Sequence, residues 1–382
     1  MSPARSTRST WLGVGAGVAV LAVTMGAAWA ATGSSSPAAA PIVQVRTAAD
    51  LVKTYASAAP GTTIELATGV YQPKQLKRAI GAPPLTQAVV LRAATGATVE
   101  VRNLDVNGPA LRVDDLHLTG NVRFRARAVG GAVLDSTVQP GTIIVEADRV
   151  AIERNTIRGP DDRDGLDIGA TDGKGPYGVM VRGNTIGPGR LTPGSTAHVD
   201  CLQVMSADNL TVEDNILFDC PAQTMLVKSD LGPIRGVTIL RNSLRGCLPP
   251  SSGCPGLMTL QIVPGAHPMR TITVTGNSVA GALRAVDAIP GVTFTGNAID
   301  HVEDGCQYPM VGNVIGTSRC TIPPGNTQAQ PLWLGADRRP PDLRPAPGSP
   351  VQDAGTATLG TDADGRRSAC GARWDAGAYE RC

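Results

Sequence analysis

The sequence predicts an all-β solenoid, and three observations carry that prediction. First, one phrase recurs: Val150, Ile152, Asn155, Ile157; Val179, Val181, Asn184, Ile186; Leu210, Val212, Asn215, Leu217; Val237, Ile239, Asn242, Leu244. It continues through Ile272, Val274, Asn277, Val279 and Val292, Phe294, Asn297, Ile299. Apolar residues two apart face one side of a strand, an Asn turn follows, and another inward apolar residue resumes. Second, between successive Asn turns a further strand recurs, as in Leu166 to Ile168, Leu202 to Val204, Met225 to Lys228 and Thr259 to Ile262. Third, 45 Gly and 30 Pro with only 3% aromatic residues suit many short strands and turns better than a helical globule. One such unit cannot bury its apolar side alone, so the units must stack into one elongated body with a long outer face.

The chain before the repeat reads as processing and linker sequence. Residues 1–30 have the pattern of a secretory signal: Arg5 and Arg8, an apolar run from Trp11 to Ala27, then Ala28-Trp29-Ala30, with cleavage expected after Ala30. Residues 31–41 are a low-complexity linker. The formal charge of +2 vanishes with the signal, leaving a neutral chain with no basic run, which excludes nucleic acid as a partner. The expectation is a secreted monomer that leaves the membrane on cleavage. All 8 Cys follow residue 200, and in an exported chain they point to disulfides. Local bridges Cys247 to Cys254, Cys306 to Cys320 and Cys370 to Cys382 are open to closure, and alignment of the Asn turns also permits Cys220 to Cys247.

The folded part begins near Pro41. Thr47 reads as the N-cap of a short helix, with Asp50 at the capping-box position, placed to cover the open end of the solenoid. Between about residues 85 and 145 the alternation persists but the Asn phrase is imperfect, with Asn121 followed by Val122 and Arg123. From 150 to 315 it is clear, and after Pro323 the chain turns rich in Pro, Gly and Arg.

On these phrases the chain resembles secreted right-handed parallel β-helix proteins of the pectate-lyase-like superfamily, over roughly residues 43–320. The resemblance implies a single-stranded right-handed parallel β-helix over 42–322 in which Asn155, Asn184, Asn215, Asn242, Asn277 and Asn297 form an internal ladder. Residues 323–382, with Pro347-Gly348-Ser349-Pro350 and Asp375-Ala376-Gly377-Ala378-Tyr379-Glu380, resemble the closing segment of many exported β-helix proteins, which implies an irregular C-terminal cap. The Asp362-x-Asp364-Gly365 triplet belongs to that segment and lacks the later Glu of a calcium loop.

The candidate chemistry sits around His198, Asp200 and Gln203. Aligning the second strands on their inward Leu places Asp164 next to Asp200, Asp167 beside Gln203, and Val227-Lys228 alongside in the following coil. Coils lie about 4.8 Å apart, so Asp164 and Asp200 become close like charges that require a cation, a hydrogen bond or a shared proton. Catalytic roles are therefore expected for His198, Asp200, Asp167, Lys228 and Gln203, and calcium ligation for Asp164 and Asp200, with Asp161 and Asp162 nearby. Strict alternation gives Lys228 the inward parity of Ile168 and Val204, unless the strand end bends outward. The competing reading is that Asp164 and Asp200 cap local amides and His198 bonds a carbonyl. His117, His267, His301, Asp287, Glu303 and Asp304 read as surface or turn residues.

Three functions fit. A lyase acting on an extracellular uronic-acid polysaccharide needs a base and a group that stabilises the carboxylate-conjugated anion. A glycoside hydrolase needs two suitably spaced carboxyls. A non-catalytic surface protein needs only a coil face for binding polysaccharide. The chain lacks the Gly-His-Gly of polygalacturonase-type hydrolases and the Trp-Ile-Asp-His run of pectate lyases.

Overall fold

The structure, a computed structural model, describes residues 40–247, 258–355, 361–366 and 369–382. The signal-peptide reading and Cys254 lie outside the described residues. The fold is a parallel β-helix. Strands carrying the repeated phrase stack in chain order as one wall of a 13-stranded sheet, beginning with Ile42–Val45 and ending with Met310–Val311. The register is the one the phrase dictates: Ile152 pairs with Val181, Val181 with Val212, Val212 with Ile239, and Ile239 with Val274. All five are fully buried, so each coil adds one apolar layer to a continuous core. Strand crossovers in such parallel stacks take the right-handed sense.

The asparagines form the expected ladder. Asn184 Nδ2 donates to Ile152 O at 2.7 Å and to Asn215 Oδ1 at 2.9 Å, and its backbone N–H donates to the same Oδ1 at 2.9 Å. Each Asn thus supplies the buried turn with the partners its backbone lacks. The residue before each Asn is left-handed, with φ 55° at Arg154, 58° at Asp214 and 52° at Arg241, and Gly in this place at 183, 276, 296 and 312. The ladder runs further than the phrase indicated, through Asn313 to Asn326. It starts at Ser136, whose N–H donates to Asn155 Oδ1. Asn121 is not a member: it lies within the strand His117–Phe124, opposite Thr142.

At the N-terminal end the helix Ala48–Ser57 is capped by Thr47, whose hydroxyl accepts from Asp50 N at 3.1 Å, and Leu51 and Tyr55 are buried beneath it. At the other end the closing segment lies along the flank of the late coils. Gly377 N donates to Gly296 O, Ala378 N to Ser278 Oγ, and Val351 and Ala376 pack on Ala298 and Val314. A buried ionic cluster pins it: Asp219 lies 2.5 Å from Arg245 Nη2 and 2.8 Å from Arg339 Nε, while Arg245 Nη1 donates to Ala336 O at 2.6 Å. Asp362 takes Arg366 N and Glu380 N, a turn-capping role.

Disulfides join Cys201 to Cys220, Cys306 to Cys320 and Cys370 to Cys382. Cys220 therefore does not bridge to Cys247, as coil alignment had permitted; it joins Cys201, 19 residues earlier. Cys247 is disulfide-bonded too. No helix among the described residues is long and apolar enough to cross a membrane.

Candidate active site on three stacked coils

The strands Leu166–Ile168, Leu202–Val204 and Met225–Lys228 stack in parallel. Leu166 pairs with Leu202 and Leu202 with Met225; Ile168 pairs with Val204 and Val204 with Val227. These six are fully buried, so the residues between them, Asp167, Gln203 and Leu226, form a column on the outer face. The inward residue of the third strand is Met225, not the Leu226 expected from alignment on Leu. That one-residue shift reverses the parity of Lys228, because successive side chains point to opposite faces. Lys228 faces outward, partly exposed, with Nζ 3.0 Å from Asp230 Oδ2.

The loops entering these strands carry the rest. The loop before Leu202 is long, and it leaves the preceding short strand at Gly187, where φ is 118° and a Cβ would lie 2.0 Å from Phe218 O. Only glycine allows that approach. Asp162 ties this loop to the one before Asp164: its Oδ1 accepts Thr192 N at 2.9 Å and its Oδ2 accepts the Thr192 hydroxyl at 2.5 Å. Asp162 is thus a loop staple rather than part of an acidic cluster.

Asp200 is the centre of the site. Its side chain is wholly buried, its Oδ1 accepts Gln223 N at 2.8 Å, and its Oδ2 lies 3.2 Å from His198 Nδ1. The His198 side chain is 52% exposed, so a buried carboxylate holds an imidazole whose other nitrogen is left to the outer face. Asp200 N in turn donates to Asp164 Oδ1 at 2.5 Å. The carboxyls of Asp164 and Asp167 are near enough to act on each other electrostatically. Both amide capping and convergence of carboxyls therefore hold at once.

The electrostatics follow from that packing. Burial pushes Asp164 up to about 6 and Asp167 up to about 8, the latter also through the neighbouring Asp164 charge. The two titrate as a pair that keeps one proton near neutrality. Burial raises Asp200 as well, against the opposing effect of His198 and the Gln223 amide. His198 is raised, first by its hydrogen bond to Asp200.

A carboxyl raised in the folded state binds more protons folded than unfolded, so stability falls as pH rises from about 4, the unfolded carboxyl value, toward the folded one. Asp167→Asn is expected to flatten that decline and to melt above the parent at pH 8. Melting curves of both proteins between pH 4 and 9 test this; parallel curves would reject the shared proton.

Most carboxylate oxygens of Asp164 and Asp200, where calcium is expected, already face other partners. Calcium takes six to eight oxygens. Here Asp200 Oδ1 and Asp164 Oδ1 are committed to backbone amides and Asp200 Oδ2 faces an imidazole nitrogen. Among the described residues no group of three or more His, Cys, Asp or Glu side chains is disposed to hold a metal. Gln223 and the Cys201–Cys220 bridge, which fix the two sides of Asp200, were not singled out from sequence; placing Met225 inward would have exposed the first.

No protein-family model and no curated protein matches the chain. Among solved structures, pectate lyase Pel9A is similar with a TM-score of 0.47 at 12% identity, over 86% of this chain and 90% of that one. The A-module of mannuronan C-5 epimerase AlgE6 from Azotobacter vinelandii gives 0.43 at 14% identity, over 77% and 80%. The PL6 family alginate lyase AlyGC gives 0.42 at 14%, over 80% of this chain and 55% of that one.

Proposed function

We propose that the chain is an exported enzyme that cleaves an acidic polysaccharide by β-elimination, with His198 as base. The observation that carries this reading is the buried Asp200 holding an exposed His198 beside a carboxyl pair that keeps a proton. His198 Nε2 takes the proton on the carbon next to a sugar carboxylate. The electron pair moves into a new C=C bond as the neighbouring C–O bond to the leaving sugar breaks, and the leaving oxygen takes up a proton. The neutral acid of the Asp164–Asp167 pair donates a hydrogen bond to the carboxylate as charge develops on it. Gln203, in the same outer column as Asp167, and Lys228 in the next coil line the path of the polymer. The open strand face suits a chain better than a small molecule, and the disulfides suit an oxidising compartment.

Hydrolysis is less favoured by the same geometry. Glycosidase carboxyls stand about 5–5.5 Å or 6.5–9.5 Å apart across the bond they cleave, whereas Asp164 is already bound to the Asp200 amide in one patch with Asp167. The test is a panel of acidic and neutral polysaccharides, with and without chelator, read by ultraviolet absorbance of unsaturated products and by reducing ends. Both signals on a polyuronate support elimination; reducing ends alone indicate hydrolysis, and neither signal on any polymer indicates a binding protein.

A further inference from the structure

The loops that enter the site carry a cleft of about 290 Å³ whose lining includes Gln139, Arg158, Asp161, Pro188 and Arg190. It spans successive coils, because Gly141 N donates to Arg158 O and Asp162 N donates to Arg190 O. The backbone is held while the side chains are free: Arg158 and Arg190 are exposed, and neither guanidinium has a hydrogen bond or ion pair among the described residues. Three arginines on the preceding coils differ in this respect. Arg102 is tied to Glu100, Arg123 to Glu146 and Arg125 to Asp105. Arg163, in the same loop as Asp161, acts electrostatically on Asp167, so positive charge extends from the cleft to the carboxyl pair.

Two unpaired guanidinium forks in one cleft, set against a single exposed carboxylate at Asp161, leave an unmatched positive charge in a neutral chain. We infer that this cleft is an anion subsite in which Arg158 and Arg190 hold the carboxylate or sulfate of a sugar adjacent to the one that reacts. The inference rests on the polysaccharide reading above and adds what that reading leaves open, namely which residues select an acidic polymer. The volume suits a single sugar unit, below the range of sites that enclose larger ligands. Arginine suits the task because its planar fork meets either anion with two parallel hydrogen bonds.

Binding is measured by calorimetry on the folded, non-turning-over His198→Ala protein, with an oligouronate, a sulfated oligosaccharide and a neutral glucan oligosaccharide. Arg158→Gln and Arg190→Gln should each weaken binding of the preferred acidic ligand on the order of tenfold, as expected for a charge-assisted hydrogen bond, and Asp161→Asn should strengthen it. Whichever acidic ligand binds more tightly names the substituent. Unchanged affinity in the Arg158→Gln/Arg190→Gln double variant would overturn the subsite and leave the proposed reaction standing. A parent protein that binds the neutral oligosaccharide as well as the acidic ones also overturns it. Failure to bind any of the three removes both the subsite and the polysaccharide reading.

Discussion

His198→Ala is expected to lower turnover of an acidic polysaccharide about a hundred- to ten-thousand-fold, the usual contribution of a positioned acid or base, while the protein stays folded and melts somewhat lower because buried Asp200 loses its neighbour. The imidazole is half exposed and its removal opens no core. Asp200 behaves differently. It is fully buried and satisfies the Gln223 amide, so Asp200→Ala loses activity and also about 1–3 kcal/mol of stability from the orphaned groups. Asp200→Asn keeps most of the shape and separates the two effects. In the parent, activity should rise as His198 loses its proton, above the ordinary histidine value because Asp200 stabilises the charged ring. It should fall again as the carboxyl pair ionises near pH 8. Initial rates across that range, together with melting temperatures, check both statements. Full activity in His198→Ala would remove the imidazole from the mechanism.

The second large effect concerns the scaffold. Asn242 is fully buried; its Nδ2 donates to Val212 O and Asn277 Oδ1, and its Oδ1 accepts from Asn215 N and Nδ2. Asn242→Ala strands these partners in a dry turn, and the expected loss is about 3–5 kcal/mol, because the ladder's hydrogen bonds reinforce one another. Denaturant titration measures it. A loss below about 1 kcal/mol would show that the coils stand on apolar stacking alone.

The scaffold was legible because it repeats. A period-two apolar pattern interrupted by Asn leaves one way to stack, and the register through Ile152, Val181, Val212 and Ile239 follows directly. The N-terminal coils were less legible because Leu116 and Ser136 occupy the turn position where later coils have Asn. At the site, the pairing of Asp167 with Gln203 and the approach of Asp164 to Asp200 could be read by alignment. The parity of Lys228 could not, since Met225 and Leu226 are both apolar and only packing decides which one turns inward. The calcium expectation turns on a finer scale. Proximity of carboxylates is written in the sequence, whereas the direction of each oxygen depends on amides such as Gln223 N in another coil.

The ionic cluster at Asp219 links the site to the order in which the chain is made. Asp219 precedes the turn that runs through Cys220 to Gln223, and Gln223 N holds the carboxylate that aims His198. Its partner Arg339, and the carbonyl of Ala336 that holds Arg245, leave the ribosome more than a hundred residues after His198. Until then Asp219 lacks one of its two cations and Arg245 lacks the carbonyls of the closing segment. The coils can stack as they emerge, each on the one before. The turn beside the imidazole gets its last support only when synthesis is nearly complete.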